Sequence, residues 1–351
     1  GNIGSLTASA VGGDAVAGTV TYTANARATE QDFADSHAVA YGFYNRTGTL
    51  TVGDAQGLKI SAVAGNATIK EAGAGLGASA SAYGIYASTG GTTNITGNLE
   101  ITDINAKAGT RTDENNVTAT DRARAFSLYA TGTGAVINVG VNTDAGYPTG
   151  NGKTVKLLGD VGADENGTNN LILYGDSSYL QGNILTDGGT NHVTVTSGAT
   201  WKPVYDNRYG SFSVAGDAAT YALATKVSAV ATSADLTLSN KGRIDLAWDD
   251  ATRDPATTAR TMTLSSLSGA DGVLVVNTNL AQSVADQFII TNNSATSLGI
   301  DVNYDPALTA SGLDNNSDIS GNAKVLTISS GTTPTVTGVS DSYNTYDYTP
   351  T

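Results

Sequence analysis

This sequence predicts an all-β fold, a parallel β-helix drawn out as a single elongated solenoid domain, and three observations carry that expectation. The first is repetition. Ala82-Tyr83-Gly84-Ile85-Tyr86 is preceded by Ala40-Tyr41-Gly42-Phe43-Tyr44 and followed by a looser copy, Ala125-Phe126-Ser127-Leu128-Tyr129. The central aromatic falls at 41, 83 and 126, a period of about 42 residues that marks stacked supersecondary units. The second is that each copy runs through a polar turn into alternating apolar and polar residues, the period-2 pattern of a half-buried strand. The third is composition. Charged residues are 14% of the 351, against roughly 25% in ordinary soluble domains, and Thr, Asn, Ser, Ala and Gly fill the gap. Uncharged polar side chains suit strands stacked in register, where a column of like charges would repel itself.

Along the chain, residues 6–11 read as the tail of an earlier copy, and 26–33 as a local helical excursion. Strands are expected at 49–53 and 58–63 after the first copy, at 93–97 and 99–104 after the second, and at 135–140 after the third. The polar stretch 110–121 reads as an exposed loop that leaves the repeat's core undisturbed. Residues 1–145 thus carry the repeat, and 146–235 continue it with strands at 154–158, 170–174 and 192–195. Strand starts 16–22 residues apart fit one β-helix coil, so half of the 42-residue repeat is taken as one coil. Tyr41, Tyr83 and Phe126 then stack every second coil, and ~14–16 coils about 4.8 Å apart make a rod of order 70 Å. A sandwich or barrel would need hairpins and turn signals every 8–12 residues; repetition argues for parallel, in-register ladders instead.

Net charge is −14 with a pI near 4.3, which opposes nucleic-acid binding and attachment to an anionic membrane surface. No apolar run approaches the 18 or more residues of a spanning helix, so no membrane insertion of this chain is expected. The chain has no Cys, which suits a protein kept extended while it crosses a membrane. It starts in mid-pattern without a signal segment and reads as a mature or trimmed fragment.

The last third adds a set of ordered motifs. Gly198-Ala199-Thr200-Trp201-Lys202-Pro203 is followed by the strand-like runs 236–246 and 261–269, the latter ending Leu267-Ser268-Gly269. Then come Gly272-Val273-Leu274-Val275-Val276-Asn277-Thr278 and Asp286-Gln287-Phe288-Ile289-Ile290. This order, over about 195–351, resembles the passenger domain of pertactin-like (type Va) autotransporters. The resemblance implies a right-handed β-helix whose C-terminal coils, 236–351, act as an autochaperone. It also implies a translocator β-barrel in the precursor and an extracellular or outer-membrane surface location. Residues 343–348 are similar to the last passenger strand.

Catalytic chemistry has little to work with. There are two His, His37 and His192, and no G-x-S-x-G elbow. Gly175-Asp176-Ser177-Ser178 reads as a turn, and His192 as a structural residue at a coil edge. Asp249 and Asp250, adjacent on a strand, face opposite sides and make a poor acid–base pair; with Arg253-Asp254-Pro255 they read as an exposed loop. Asp301-Val302-Asn303-Tyr304-Asp305 has Ca²⁺-loop spacing without the glycine and twelfth ligand, and 314–318 is an Asx-rich turn. No enzyme activity, cofactor or metal is expected. The aromatics are more telling: Tyr is 16 of the chain against 5 Phe and 2 Trp. Tyr44, Tyr86 and Tyr129 share a register three residues beyond the central aromatic. An odd offset on a straight strand puts the two columns on opposite faces, one of them outward. Tyr44, Tyr86 and Tyr129, with Tyr205 and Tyr209 in an exposed loop, are the candidate recognition surface.

The function expected is adhesion or cell–cell aggregation by a surface-displayed passenger. It would work through an extended polar face toward a host or bacterial glycan or protein, or toward itself. A passive stalk for a binding domain N-terminal to Gly1, and a β-helix enzyme acting on polysaccharide, are the alternatives. Because apolar strands are densest in 236–351 and solenoid stability sums over units and their neighbours, that third should be the most stable. Limited proteolysis in partial denaturant should leave a fragment starting near 200–240 and reaching the C-terminus; a protected N-terminal fragment would contradict this.

Overall fold

The computed structural model describes residues 6–11, 15–17, 38–69, 79–112, 118–120, 122–142, 149–204, 214–215, 219–220, 229–232, 234–249, 252–304 and 323–339. Apart from one short 3₁₀ turn at Leu280–Gln282, the elements among them are strands. The helical reading of 26–33 lies outside the described residues.

A representative rung is Ala80–Ser88, Gly91–Ile95 and Leu99–Lys107, three strands joined by two tight corners. Each pairs in parallel with its counterparts in the rungs before and after. Three stacked sheets result, and in each the strand order follows chain order. Parallel pairing with monotonic order is a parallel β-helix, as the repeat predicted. Alternation turns one residue in two inward, and the inward positions stack on their equivalents. On the long sheet one such column runs Leu58, Ile101, Leu157, Leu180, Trp201, Ile244, Leu274, Ile300. None of the eight is more than 5% exposed. Trp201 fits because its indole N–H donates to the Gly182 carbonyl, at 2.8 Å, leaving no buried donor unpaired.

The 42-residue repeat is one whole rung, not two. Tyr41 pairs directly with Tyr83, and Tyr83 with Phe126, on hydrogen-bonded neighbouring strands. The surplus length is an excursion after each long-sheet strand. Its strands Ala15–Ala17, Ala67–Ile69, Thr110–Thr112 and Thr118–Thr120 form a small sheet of their own. The stretch expected as a plain loop at 110–121 therefore contains an antiparallel hairpin. From residue 155 to 202 the rungs carry no such excursion and equivalent positions lie 21 to 23 residues apart; the 203–234 segment then separates Trp201 from its partner Ile244. The long sheet's main path has ten strands rather than 14–16, about 40 Å of stacking. Among the described residues its last rungs show two sides: Thr261–Leu267 with Gly272–Asn279, Gln287–Asn293 with Ser297–Tyr304, and Leu326–Ile328 with Thr335–Val339.

Where long rungs meet short ones, a step is left. Leu99–Lys107 is paired along its length by Ala55–Val63, but Val155–Leu158 covers only its first residues. Arg122–Thr131 likewise extends past Asp160–Asp164. Two short strands from the 203–234 segment fill the gaps. Ala219–Thr220 runs antiparallel to Asn105 and Ala106, and Val214–Ala215 antiparallel to Arg122 and Ala123. Strand edges that would otherwise be open templates are thereby closed.

The aromatic copies carry a shared kink: Gly42, Gly84 and Ser127 drop out of the ladder pairs on either side of them. A Cβ at Gly84 would sit 2.5 Å from Ile101 Cδ1 and 2.6 Å from the Ser127 carbonyl oxygen. Gly84→Ala should therefore lower stability by about 1–3 kcal/mol, read as a denaturant midpoint. Gly53→Ala, with nothing within 4 Å of its Cβ, should change it by under about 0.5 kcal/mol. Equal midpoints would mean that the kink tolerates a side chain.

Candidate recognition site: an outward aromatic stack

The kink decides where the rings go. Ala82, Ile85 and Ala87 belong to the solenoid core, and the position of Gly84 also faces it, against Ile101. Two successive inward positions at the kink leave Tyr83 and Tyr86 on the same outer face, despite their odd offset. The expectation that the two columns occupy opposite faces is thus corrected. A Gly between aromatics in a strand was the signal for it, since strand glycines mark bends and close backbone approach.

Tyr83, Phe126 and Tyr129 form a cluster separate from the core, with Tyr41, Tyr86 and Leu185 packed partly buried against it. Along one column Tyr41 stacks on Tyr83 at 5.4 Å and Tyr83 on Phe126 at 5.8 Å, with interplanar angles of 13° and 9°. Along the other, Tyr86 stacks on Tyr129 at 5.5 Å, while Tyr44 meets Tyr86 edge-on at 5.2 Å and 76°. Within rungs the columns touch: Tyr41–Tyr44 at 5.0 Å, Tyr83–Tyr86 at 4.9 Å and Phe126–Tyr129 at 4.8 Å. Offset and edge contacts of this kind contribute about 0.5–1.5 kcal/mol per pair beyond area burial.

Exposure falls along the stack. Tyr44 is 51% exposed and Tyr129 4%. Tyr129 is therefore not part of an accessible surface, because later rungs supply Leu185 and Asp164 against it. Its hydroxyl donates to Asp164 Oδ2 at 2.6 Å. Tyr44 and Tyr86 reach solvent; Tyr205 and Tyr209 lie outside the described residues.

On the third sheet an outward register joins Thr51, Asn94, Asn138, Asn170, His192 and Asp235 across six strands. The Asn138 amide donates to Asn94 Oδ1 and the Asn170 amide to Asn138 Oδ1, both at 2.8 Å. His192 Nδ1 lies 3.2 Å from Asp235 Oδ2 at the end of this ladder. Sequence reading did not find the ladder, because its members fall at four different spacings along the chain.

The remaining candidates separate. Ser177 is exposed in a turn closed by Ser178, whose hydroxyl donates to the Tyr174 carbonyl at 2.6 Å. His37, Asp250, Asp305 and residues 314–318 are outside the described residues. Asp301 is clasped by Arg243 on the outer face of the long sheet. Asp245, two rungs earlier in the same register, has its carboxyl held above the usual range chiefly by burial. The segment expected as an exposed loop around 249–255 is instead built on buried ion pairs. Arg253 pairs with Asp286 and Arg260 with Asp249, every side chain 7% exposed or less. Asp286 also accepts the backbone N–H of Arg260 and of Asn277, each at 2.9 Å. Among the described residues no three His, Asp or Glu side chains converge as a metal site. No helix among the described residues is long and apolar enough to cross a membrane. Compared with protein-family models, curated proteins and solved structures, the chain matches none.

Burial raises the phenol pKa of Tyr41, Tyr83, Tyr86 and Tyr129 above 10, with the Asp164 hydrogen bond second for Tyr129. An unfolded tyrosine ionises near 10. The stack's contribution is therefore complete below about pH 10 and is lost as pH climbs through the folded values. In an alkaline titration, tyrosinate absorbance from the two buried rings, Tyr83 and Tyr129, should rise only together with loss of the β-sheet circular dichroism signal. Full ionisation near pH 10 with the β signal intact would mean that the stack is open to solvent.

Proposed function

We propose that the chain is a secreted or surface-displayed passenger of autotransporter type that serves adhesion or cell–cell aggregation. The observation that carries this reading is the outward ladder from Thr51 to Asp235 on the third sheet. A rigid, in-register row of a hydroxyl, three amides, an imidazole and a carboxylate offers hydrogen bonds at one rung spacing, about 4.8 Å, to a neighbour held along the rod. Each such bond nets only about 0.5–1.5 kcal/mol, so strength comes from engaging many at once, within one ladder and between many displayed copies. The location at the outer-membrane surface and the translocator barrel rest on the resemblance of 195–351, which includes the buried Trp201 and the Asp286-Gln287 strand. The partner is a glycan or protein of a host or bacterial surface, including a second copy of this chain.

The test is display of the chain on non-aggregating cells. Cells carrying the wild-type chain should clump or adhere, and Asn138→Asp with Asn170→Asp should reduce this several-fold by placing like charges one rung apart. Displayed, folded chains that neither clump nor adhere would favour a passive stalk. Release of reducing ends from polysaccharide would favour an enzyme.

A further inference from the structure

The aromatic stack lies on a different sheet from the polar ladder, and packing does not account for its open end. The solenoid interior is filled without it, since the stack is a cluster apart from the core. Three successive rungs keep the kink at Gly42, Gly84 and Ser127, which holds two columns of rings outward instead of one. The one ring without a hydroxyl, Phe126, stands where exposure is 1%, and every ring at the open end is a tyrosine. Two of the three large hydrophobics exposed among the described residues, Val39 and Tyr44, flank Tyr41 on the single strand Ala38–Asn45.

The shape of that end selects among occupants. Tyr41 and Tyr44 lie nearly parallel, 19° apart, and Tyr86 stands against them at 72° and 76°. Together they make a shelf with a wall. Half of one tyrosine and part of two others amount to on the order of 200 Å² of open ring surface. A stable protein interface needs roughly 800 Å² a side, so the shelf fits a small ligand. A sugar ring has matching chemistry. Its face of axial C–H groups packs on an aromatic plane, and its equatorial hydroxyls reach polar atoms at the rim. Here the rim holds Tyr44 Oη and Ser88 Oγ, 3.4 Å apart, a loose contact that a sugar hydroxyl can replace.

We propose that Tyr41, Tyr44 and Tyr86 form a binding site for a pyranose glycan, with one sugar stacked on the shelf. This deepens the adhesion reading by giving it a ligand class and a site. The test uses the whole chain, first on a printed array of host and bacterial oligosaccharides, then by calorimetry with the best binder. Tyr44→Ala and Tyr86→Ala should each weaken that binder by about tenfold or more, while Tyr44→Phe, which keeps the ring, should lose far less. Tyr174→Ala, exposed by 44% on another sheet, should bind as the wild type does. The site is overturned if no arrayed glycan binds, if both ring deletions bind normally, or if Tyr174→Ala loses as much. The same variants in the clumping assay separate the two readings. Glycan binding by a chain that never clumps cells keeps the site and removes the adhesion reading; clumping by a chain that binds no glycan does the reverse.

Discussion

Each position on the rung strands stands on its equivalent in the neighbouring rungs, about 4.8 Å away, and that constraint governs which residues the chain can use there. A side chain is tolerable only if it is tolerable beside a copy or a complement of itself. Aliphatic groups meet the condition by packing, as in the column from Leu58 to Ile300. Amides meet it by donating to one neighbour and accepting from the other, as Asn138 does between Asn94 and Asn170. Aromatic rings meet it by offset stacking. A column of charges meets it by alternating sign, as with Glu100 and Lys156 on adjacent rungs, and the sparse charge of the whole sequence agrees with this.

The same rule reaches the interior. Asn169 and Asn191 are buried at a corner, where Asn169 donates to the Gly162 carbonyl and to Asn191 Oδ1 at 2.7 and 2.8 Å. Asn191 in turn donates to the Leu185 carbonyl at 2.9 Å. An unpaired amide there would cost about 1–3 kcal/mol; the stacked pair serves the corner carbonyls of two rungs. Near the C-terminus the arrangement differs. Arg253 and Asp286 are taken out of water together, and removing either would leave a buried charge, a loss of about 3–5 kcal/mol. That pair ties the 246–260 segment to the two-sided rungs, where no stacked equivalent could do so.

The stacking was legible in the sequence because Tyr41, Tyr83 and Phe126 repeat at a fixed interval, and so was the inward alternation of strands such as Leu99–Lys107. The rung length was not. Excursion residues such as Ala67–Ile69 have the same Ala- and Thr-rich alternation as the rungs, so pattern alone cannot tell a coil from a coil with an insert. The outward direction of both tyrosine columns was missed because a straight strand was assumed, although Gly42 and Gly84 mark the bend. The Arg253–Asp286 pair spans 33 residues, and no local pattern announces it.

The step closed by Val214–Ala215 and Ala219–Thr220 changes how the rod carries load. A solenoid with only nearest-neighbour contacts, pulled from one end, peels one rung at a time, each at a similar low force. Here strands from beyond the fifth rung of the second sheet are sewn onto the second and third. Tension entering at the N-terminal end strips the rungs before the suture singly and then meets a clamp that must yield as a block. The long aromatic rungs lie at and before that clamp, and the apolar C-terminal rungs are shielded behind it.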